Sequence, residues 1–433
     1  MQQSTQQIKQ VYFLVTALRW LAVGLVLPIS VLFMQSRGIN LLQLGVIMGV
    51  YSVTIVLLEL PTGGLADAVG RKKVALLAHA VDILAGVFLF FSFSFWGFLA
   101  GMILLGVARA LNSGALAAWY VDSLQAADPA IDLQPPLAQA GTVTLLALGA
   151  GTLAGGALPA IFSDLPLDGS ALISPLSTTL LASLAIRLIL FLIIARAVQE
   201  PPRMEGKQAD WRSGFQSVPV IVSEALTLTR QNRNLPLLMG ATLVGGFTIA
   251  GVETFWQPHF AVLLGRSTAQ TWLFGLVMAL SFLAGVAGNM LSIPASKRLK
   301  HRYVLVAGLA RALQSIALLA MALLQPVLGF AAVFWAFYLG GAFNSSPHDT
   351  LVNREIPAQR RSAMLSAQSL AVYVGSFLGS ILMGAIAEYY TIAAAWIVAA
   401  VVSMVSLVLY ARVTQQTRAG LSHDENIPIP DSY

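Results

Sequence analysis

The sequence predicts an all-α integral membrane protein with twelve transmembrane helices arranged as two pseudo-symmetric six-helix bundles. Of its 433 residues, 57% are hydrophobic and only 10% are charged, whereas soluble globular proteins carry about 25% charged residues. Most of the chain must therefore face lipid, where only helices and closed barrels can span. The apolar runs are about 20 residues long, as spanning helices require, and do not resemble the alternating segments of about 10 residues in barrels.

Twelve apolar stretches, punctuated by Gly, Pro or charged residues, define the predicted spans. The first six are Val11–Gln35, Leu41–Ala66, Val74–Phe93, Trp96–Tyr120, Leu137–Phe162 and Leu176–Val198. The last six are Leu235–Leu264, Ala269–Ile293, Tyr303–Leu324, Val327–Val352, Ala363–Ala387 and Thr391–Tyr410. The chain then divides into an N-terminal bundle (residues 1–198), a cytoplasmic linker (199–234), a C-terminal bundle (235–411) and a polar cytoplasmic tail (412–433) that we expect to be disordered.

The positions of the basic residues predict the orientation. With the N-terminus inside, 18 Lys and Arg residues fall in inside loops, and only Arg37 and Arg266 fall outside. This asymmetry follows the positive-inside rule, so we expect a multi-pass protein of the inner or plasma membrane with both termini in the cytoplasm. The net charge of +6 then reflects topology, and we expect no nucleic acid partner. The polar segment Met1–Gln10 lacks a cleavage site, so we expect span 1 to act as its own insertion signal.

An internal repeat supports the division into two bundles. When the chain is shifted by about 230 residues, proline, basic, asparagine and glycine landmarks coincide in order. The matched features are Pro28 with Pro258, the basic loop ending Arg71-Lys72-Lys73 with the loop Lys297–Arg302, Asp82 with Arg311, Asn112 with Asn344 and, at a slightly smaller offset, Gly151 with Gly375 and Gly155 with Gly379. Parallel repeats of this kind place a substrate site between the halves, near the middle of the membrane.

A glycine- and charge-containing motif, Gly63-x-x-x-Asp67-x-x-Gly70-Arg71-Lys72, follows span 2. Glycine permits close helix approach and a tight turn, and Asp67 can cap the next helix or accept from an arginine. The motif resembles the loop 2–3 signature of the major facilitator superfamily. The resemblance implies the major facilitator fold and a gating joint, to which we also assign Asp122.

Three further segments bear on the branch of the family. The string from Glu59 to Gly63 resembles the drug/proton antiporter and macrolide-efflux-like branches. Leu105-x-x-x-Arg109 in span 4 is similar to a proton-linked motif of the family, although its glycine, Gly114, comes one position late. The glycines of span 5 (Gly151, Gly155, Gly156, with Pro159) partly resemble the antiporter motif but lack its Gly-Pro pair. Packing of small residues would also explain these glycines, so the direction of transport stays open.

Seven ionisable residues fall inside the spans, where charge is costly and is a default sign of function. They are Arg19, Glu59, Asp82, Arg109, Arg187, Glu253 and Arg311. At 1.5 Å per residue, five of them share one layer, roughly 12–15 Å from the cytoplasmic edge. We expect Arg19 to pair with Glu59 or Asp82. Structural ion pairs that fix helix register are an equal alternative for Asp82, Arg187 and Arg311.

A sharper hypothesis assigns proton coupling to this group. A buried carboxylate for which proton, substrate and arginine compete would link proton flow to transport. We name Glu59 and Glu253 as the proton carriers, supported by Arg109, Arg19 and Asp82. The candidates for substrate binding are Trp20, Asn112, Phe255, Trp256, Gln257, Arg311, Trp335, Tyr338 and Asn344. In an alternative interpretation, the aromatic residues near helix ends are ordinary interfacial anchors. The excess of buried positive charge leaves room for an anionic or zwitterionic substrate.

The sequence favours a transporter over an enzyme. It contains no P-loop pattern, its five histidines show no ligand spacing, and it has no cysteine. We expect no metal or cofactor, a proton gradient as the energy source, and a monomer that handles a small-molecule substrate in the lipid bilayer. The first hypothesis is a proton-coupled exporter of amphipathic, drug-like molecules, and the second is an uptake symporter for a nutrient or lipid-like solute. The third, a non-transporting receptor or scaffold, would need a large soluble region.

Overall fold

The structure is a computed structural model, and it describes residues 4–63, 65–166, 169–200, 223, 227–356 and 360–424. Twelve of its helices are long and apolar enough to cross a membrane. The described residues form helices and connecting turns without strands. This arrangement confirms the predicted fold class. The side chain of Asp67 and most of the linker, 201–222 and 224–226, lie outside the described part.

The first six spans are built from nine helices. Their bounds are Thr5–Val26 and Ser30–Ser36 (span 1), Leu41–Gly63 followed by the short Leu65–Val69 (span 2), Arg71–Phe91 (span 3), Phe95–Leu111 and Ala115–Ala127 (span 4), Gln134–Ile161 (span 5) and Ser177–Ala197 (span 6). We call the face on which span 1 begins the inner face and the opposite one the outer face.

The last six spans are mostly unbroken helices. Their bounds are Leu235–Leu263 (span 7), Trp272–Arg298 (span 8), Tyr303–Leu323 (span 9), Val327–Arg354 (span 10), Arg361–Tyr389 (span 11) and Ile392–Asp424 (span 12). The helix of span 12 continues past residue 412, where the disordered tail is predicted to begin, and residues 425–433 lie outside the described part. Gln, Arg and Ala in this stretch are good helix formers, which accounts for the continuation.

Two breaks in the first half have identifiable causes. Span 1 is interrupted between Val26 and Ser30, around Pro28, which lacks a donor and cannot continue the hydrogen-bond ladder. Span 4 is interrupted at Asn112–Gly114, where Gly114 adopts a left-handed φ of 81° that glycine accepts without strain. The sequence predicted a continuous span 4. Each break exposes backbone groups that other residues must satisfy.

The halves touch along glycine-rich helix faces near the outer face. Span 2 packs against span 11, and span 5 packs against span 8. A Cβ atom added to Gly45 would lie 2.3 Å from the Ser380 carbonyl, and one added to Gly156 would lie 2.6 Å from the Gly275 nitrogen. The helices therefore meet backbone to backbone, as small residues permit in membranes.

Candidate functional site

The outer side of the seam between the halves is held by a glutamine of span 7. The Gln257 amide donates to the Leu27 carbonyl and accepts from the Val31 N–H, both at 3.0 Å. These are backbone groups beside the break at Pro28, and Gln257 is only 2% exposed. The residue thus caps span 1 from the opposite half. In this conformation the polar atoms of Gln257 are committed to the seam, and its role in substrate binding stays a prediction.

A second contact of the same type lies next to it. The Glu388 carboxylate, at the end of span 11, accepts from the Leu41 N–H at the start of span 2 at 2.9 Å. The first helical N–H groups have no partner within their helix, and they favour a negative group. Together with the close glycine contacts, these caps close the outer face. Three cross-half hydrogen bonds of the described side chains lie on this side.

The middle of the seam holds an arginine and two acids. Arg109 of span 4 and Glu253 of span 7 are exposed, although the neighbours Val252, Phe255 and Trp256 are almost completely buried. The charge of Arg109 acts on both Glu253 and the half-buried Glu59 of span 2. Since these groups come from both halves, their exposure is to open space between the halves. The structure therefore brings together three of the five residues predicted for proton coupling.

Tyrosines surround this charged centre. The Arg109 guanidinium interacts with the hydroxyls of Tyr51 in span 2 and Tyr373 in span 11. Tyr338 of span 10 lies in the electrostatic range of Glu253, and its buried hydroxyl has no hydrogen-bond partner. The site consequently offers two carboxylates, one guanidinium and three phenol rings. Tyr338 is among the residues predicted from the sequence, whereas Tyr51 and Tyr373 are not, because tyrosines inside a span have no distinguishing spacing.

Within the first half, a second charged group is buried among spans 1, 3 and 6. Asp82 forms an ion pair with Arg187, whose Nε donates to the Ser183 hydroxyl at 3.1 Å. Ser183 in turn donates to the Ala22 carbonyl of span 1 at 2.8 Å. The expected pairing with Arg19 is therefore wrong as a direct contact: Arg19 acts on Asp82 only through its charge.

Within the second half, Arg311 of span 9 lies in a network of neutral groups. It is 6% exposed and donates to the Gln314 side-chain oxygen at 2.9 Å. With its amide oriented to suit both neighbours, Asn344 accepts from Arg311 at 3.3 Å. The Tyr410 hydroxyl is a further hydrogen-bond partner of Arg311 and lies 2.9 Å from His348 Nδ1. Arg311 and Asn344, both predicted to bind substrate, thus belong to the interior of the second half.

The joint predicted at the inner face is partly visible. Arg71 forms an ion pair with Asp122 of span 4, at 2.8 Å. Gly70 has a φ of 118°, which only glycine readily adopts. The backbone N–H of Lys72 donates to the Glu200 carboxylate at 2.7 Å, so the start of the linker caps span 3. The contacts of Gly63 and the Asp67 side chain lie outside the described part.

Several aromatic candidates lie in a closed core. Phe255 is 0% and Trp256 1% exposed, and Trp256 packs against rings of spans 7, 8 and 10, with Phe334 at 5.0 Å between centroids. The Trp335 indole donates to the Val277 carbonyl at 2.9 Å. All three join the outer core of the second half, and their role in substrate binding stays a prediction. Trp20 packs half-buried beneath Arg19, and Asn112 ends the first helix of span 4.

A cavity of about 700 Å³ opens beside the seam, between the outer loops. It is lined by residues 35–41 from the first half and by residues around Arg266 from the second. Arg37 is anchored here by the Ser92 and Leu172 carbonyls, at 2.8 and 3.1 Å. Burial lowers the pKa of Arg37 to about 10, so its guanidinium stays charged at neutral pH and holds the outer loops together.

Comparison with known proteins identifies the family. The profile of the Major Facilitator Superfamily matches residues 12–347 and 273–429. The MFS-type transporter YxaM of Bacillus subtilis (strain 168) is 24% identical over 410 residues, which cover 93% of this chain and 95% of YxaM.

Solved structures show the same fold. The nucleoside transporter NupG has a TM-score of 0.75 at 16% identity and covers 94% of this chain and 99% of its own. A bacterial homologue of the human lysosomal transporter Spinster, in an inward-facing and occupied conformation, has a TM-score of 0.69 at 15% identity, with 94% and 96% covered. Given the family profile, the twelve spans and this likeness, the chain belongs to the Major Facilitator Superfamily and is a membrane transporter of that type.

Proposed function

We propose that the chain is a proton-coupled exporter of amphipathic small molecules that works by alternating access in the cell membrane, with both termini in the cytoplasm. The observation that carries the proposal is the shared position of Arg109 between two acids, Glu253 of span 7 and Glu59 of span 2. The arginine and Glu253 belong to opposite halves, so their attraction depends on how the halves are arranged.

The mechanism follows from competition for one cation. When Glu253 is ionised, it attracts Arg109 across the seam, because the two groups carry opposite charges. When Glu253 is protonated, this attraction is lost and Arg109 is left with Glu59 and the tyrosine hydroxyls. A cationic substrate can displace the proton from either acid. Binding of substrate and binding of proton then exclude each other, as antiport requires.

An uptake symporter is the second candidate. In the structure, Gly155 of span 5 packs against its own half, since an added Cβ would lie 2.1 Å from the Leu25 carbonyl. Gly151 packs in the same way, 2.5 Å from the Leu21 carbonyl. Helix packing therefore accounts for the glycines that resemble the antiporter motif, and they do not favour export over uptake.

Reconstitution in liposomes of one known orientation distinguishes the two candidates. A growth screen against toxic amphipathic compounds first supplies a transported probe. The proposal predicts that a proton gradient drives the probe from the inner face to the outer face, and that flux falls at least tenfold in Glu59→Gln. The exposed loop variant Asp164→Asn serves as the matched control and keeps parental flux. Gradient-driven movement towards the inner face would instead establish the symporter.

A further inference from the structure

Arg311 is a buried cation whose described neighbours carry no compensating acid. The ion pairs among the described residues are Arg71 with Asp122 and Arg187 with Asp82, and the groups that contact Arg311 are neutral. Its Nε atom has no hydrogen-bond partner. A buried charge without a counter-charge is costly, so this position has capacity for an anion.

A glycine of span 7 separates this cation from the space between the halves. A Cβ atom on Gly245 would lie 3.0 Å from the Arg311 Nη2 atom, so the guanidinium is covered here by the backbone of span 7 and by no side chain of residue 245. We call this gap in the side-chain wall the window. Gly245 is itself partly exposed, whereas its neighbours Val244 and Gly246 are buried. The window therefore lies on an exposed part of span 7.

The same face of span 7 carries Glu253. Between residues 244 and 258, the partly or fully exposed positions of this helix are Gly245, Ile249 and Glu253. These positions are four residues apart and so line one side of a helix. At 1.5 Å per residue, the window and the carboxylate are about 12 Å apart along the helix axis, with Ile249 as an apolar step between them.

We propose that Gly245 and Arg311 form a subsite for the carboxylate of a dipolar substrate whose cationic end is held at Glu253. The inference deepens the proposed function and rests on it for the role of Glu253. The ligand would be an amphipathic molecule with an ammonium group and a carboxylate separated by an apolar spacer of about 12 Å. A guanidinium suits a carboxylate because its N–H groups match the two oxygens. The apolar spacer would lie over Ile249.

Ligand binding to the purified full chain tests this subsite without any proton gradient. ω-Aminolauric acid carries both charges on a long apolar spacer, and its methyl ester has the same length and ammonium group without the carboxylate. Binding is followed by the shift of the thermal unfolding midpoint, read from the fluorescence of the eight tryptophans. The parent is expected to bind the acid roughly tenfold to a hundredfold more tightly than the ester.

Variants separate the subsite from a structural role for Arg311. Arg311→Gln removes the cation, and Gly245→Val fills the window while keeping Arg311, so each should abolish the preference for the acid. Gly308→Ala in span 9 is the matched control, because an added Cβ meets nothing within 4 Å, and it should retain the preference. If Arg311→Gln does not give a folded, monodisperse protein, Gly245→Val decides.

Two results would overturn the proposal. One is an equal affinity of the parent for acid and ester, and the other is a preference that survives in Gly245→Val or in folded Arg311→Gln. The proposed function fails on a different result, which is parental proton-driven transport in Glu253→Gln. In the binding assay, Glu253→Gln should weaken the affinity for acid and ester by the same factor, because both ligands keep the ammonium group. This binding result does not depend on how the variant affects transport.

Discussion

The two halves of the molecule treat their buried arginines in opposite ways. In the first half, Arg187 is paired with Asp82 and braced by Ser183. In the second half, Arg311 is surrounded by Gln314, Asn344 and Tyr410, and no acid compensates it among the described residues. Asp82 and Arg311 lie in the third span of their respective halves and coincide in the sequence repeat.

One repeated scaffold can therefore serve two purposes. A paired charge is electrically neutral and ties three spans of the first half together. An uncompensated charge adds little cohesion and leaves a positive potential behind the wall of the seam. Between the halves, the arrangement is complementary, because Arg109 comes from the first half and Glu253 from the second.

The largest expected effect comes from breaking the pair in the first half. Asp82→Asn leaves Arg187 as a buried charge without a partner, which typically costs about 3–5 kcal/mol. The thermal unfolding midpoint in detergent should fall sharply, and the yield of inserted protein should fall with it. Replacement of both partners, Asp82→Leu with Arg187→Leu, should recover most of the loss. A fully stable Asp82→Asn variant would show that the pair does not hold the first half together.

The next effect concerns the seam, where side chains of the second half cap backbone groups of the first. Gln257→Ala leaves the Val31 N–H and the Leu27 carbonyl without partners, at a cost of about 1–3 kcal/mol per group in the closed seam. The outer face should therefore open roughly tenfold more often or more.

Cysteine labelling measures this opening cleanly, since the chain has no cysteine. Ser380→Cys places a thiol of similar size at a gate position that is 2% exposed. An impermeant maleimide added at the outer face should react faster by roughly the same factor in the Gln257→Ala background. Gln270→Ala, an exposed glutamine of the outer loop, is the control. An unchanged labelling rate would remove Gln257 from the gate.

A smaller effect is expected when the charge of the second half is removed. Arg311→Gln loses hydrogen bonds to neutral groups but no longer buries a charge, so the free energy of unfolding should stay within about 1 kcal/mol of the parent. The measurement is the same thermal unfolding assay as for Asp82→Asn. A loss as large as that of Asp82→Asn would mean that the two networks are equally structural and that the comparison fails.

The smallest effect is expected at the inner face. The Arg71 and Asp122 side chains are 24% and 41% exposed, and ion pairs in contact with water contribute about 1 kcal/mol or less. Asp122→Asn should therefore leave the unfolding midpoint nearly unchanged, including at high salt. A shift comparable to that of Asp82→Asn would show that the joint is part of the stabilising core.

Much of the fold could be predicted because lipid imposes length and polarity on every span. The breaks were harder. Pro28 marks one of them in the sequence, but Gly114 resembles the many glycines that continue a helix, and only its left-handed φ distinguishes it. The linker contact of Glu200 could not be foreseen either, since it joins groups 128 residues apart.

The sequence predicts the residue types that make up the site but not the direction in which each side chain points from its helix. The depth of a residue below the cytoplasmic edge follows from the rise of 1.5 Å per residue along a helix. This depth correctly groups Arg19, Asp82 and Arg187 in one layer. Which arginine meets Asp82 depends on rotation about the helix axis, and spans that are apolar all round carry no periodic signal for that angle. The same limit explains why Trp256 was assigned to the cavity and lies in the core, while Glu253, three residues away, faces open space.

In the proposed mechanism a proton on Glu253 is exchanged for substrate, and the variant Glu253→Gln isolates this step. In proteoliposomes, the variant fixes this side chain in its neutral form. The account predicts that accumulation of a transported amphipathic amine dye, driven by a proton gradient, falls to the level of empty liposomes, while dye-for-dye exchange without a gradient continues. Parental gradient-driven accumulation in Glu253→Gln, and likewise in Glu59→Gln, would contradict the account.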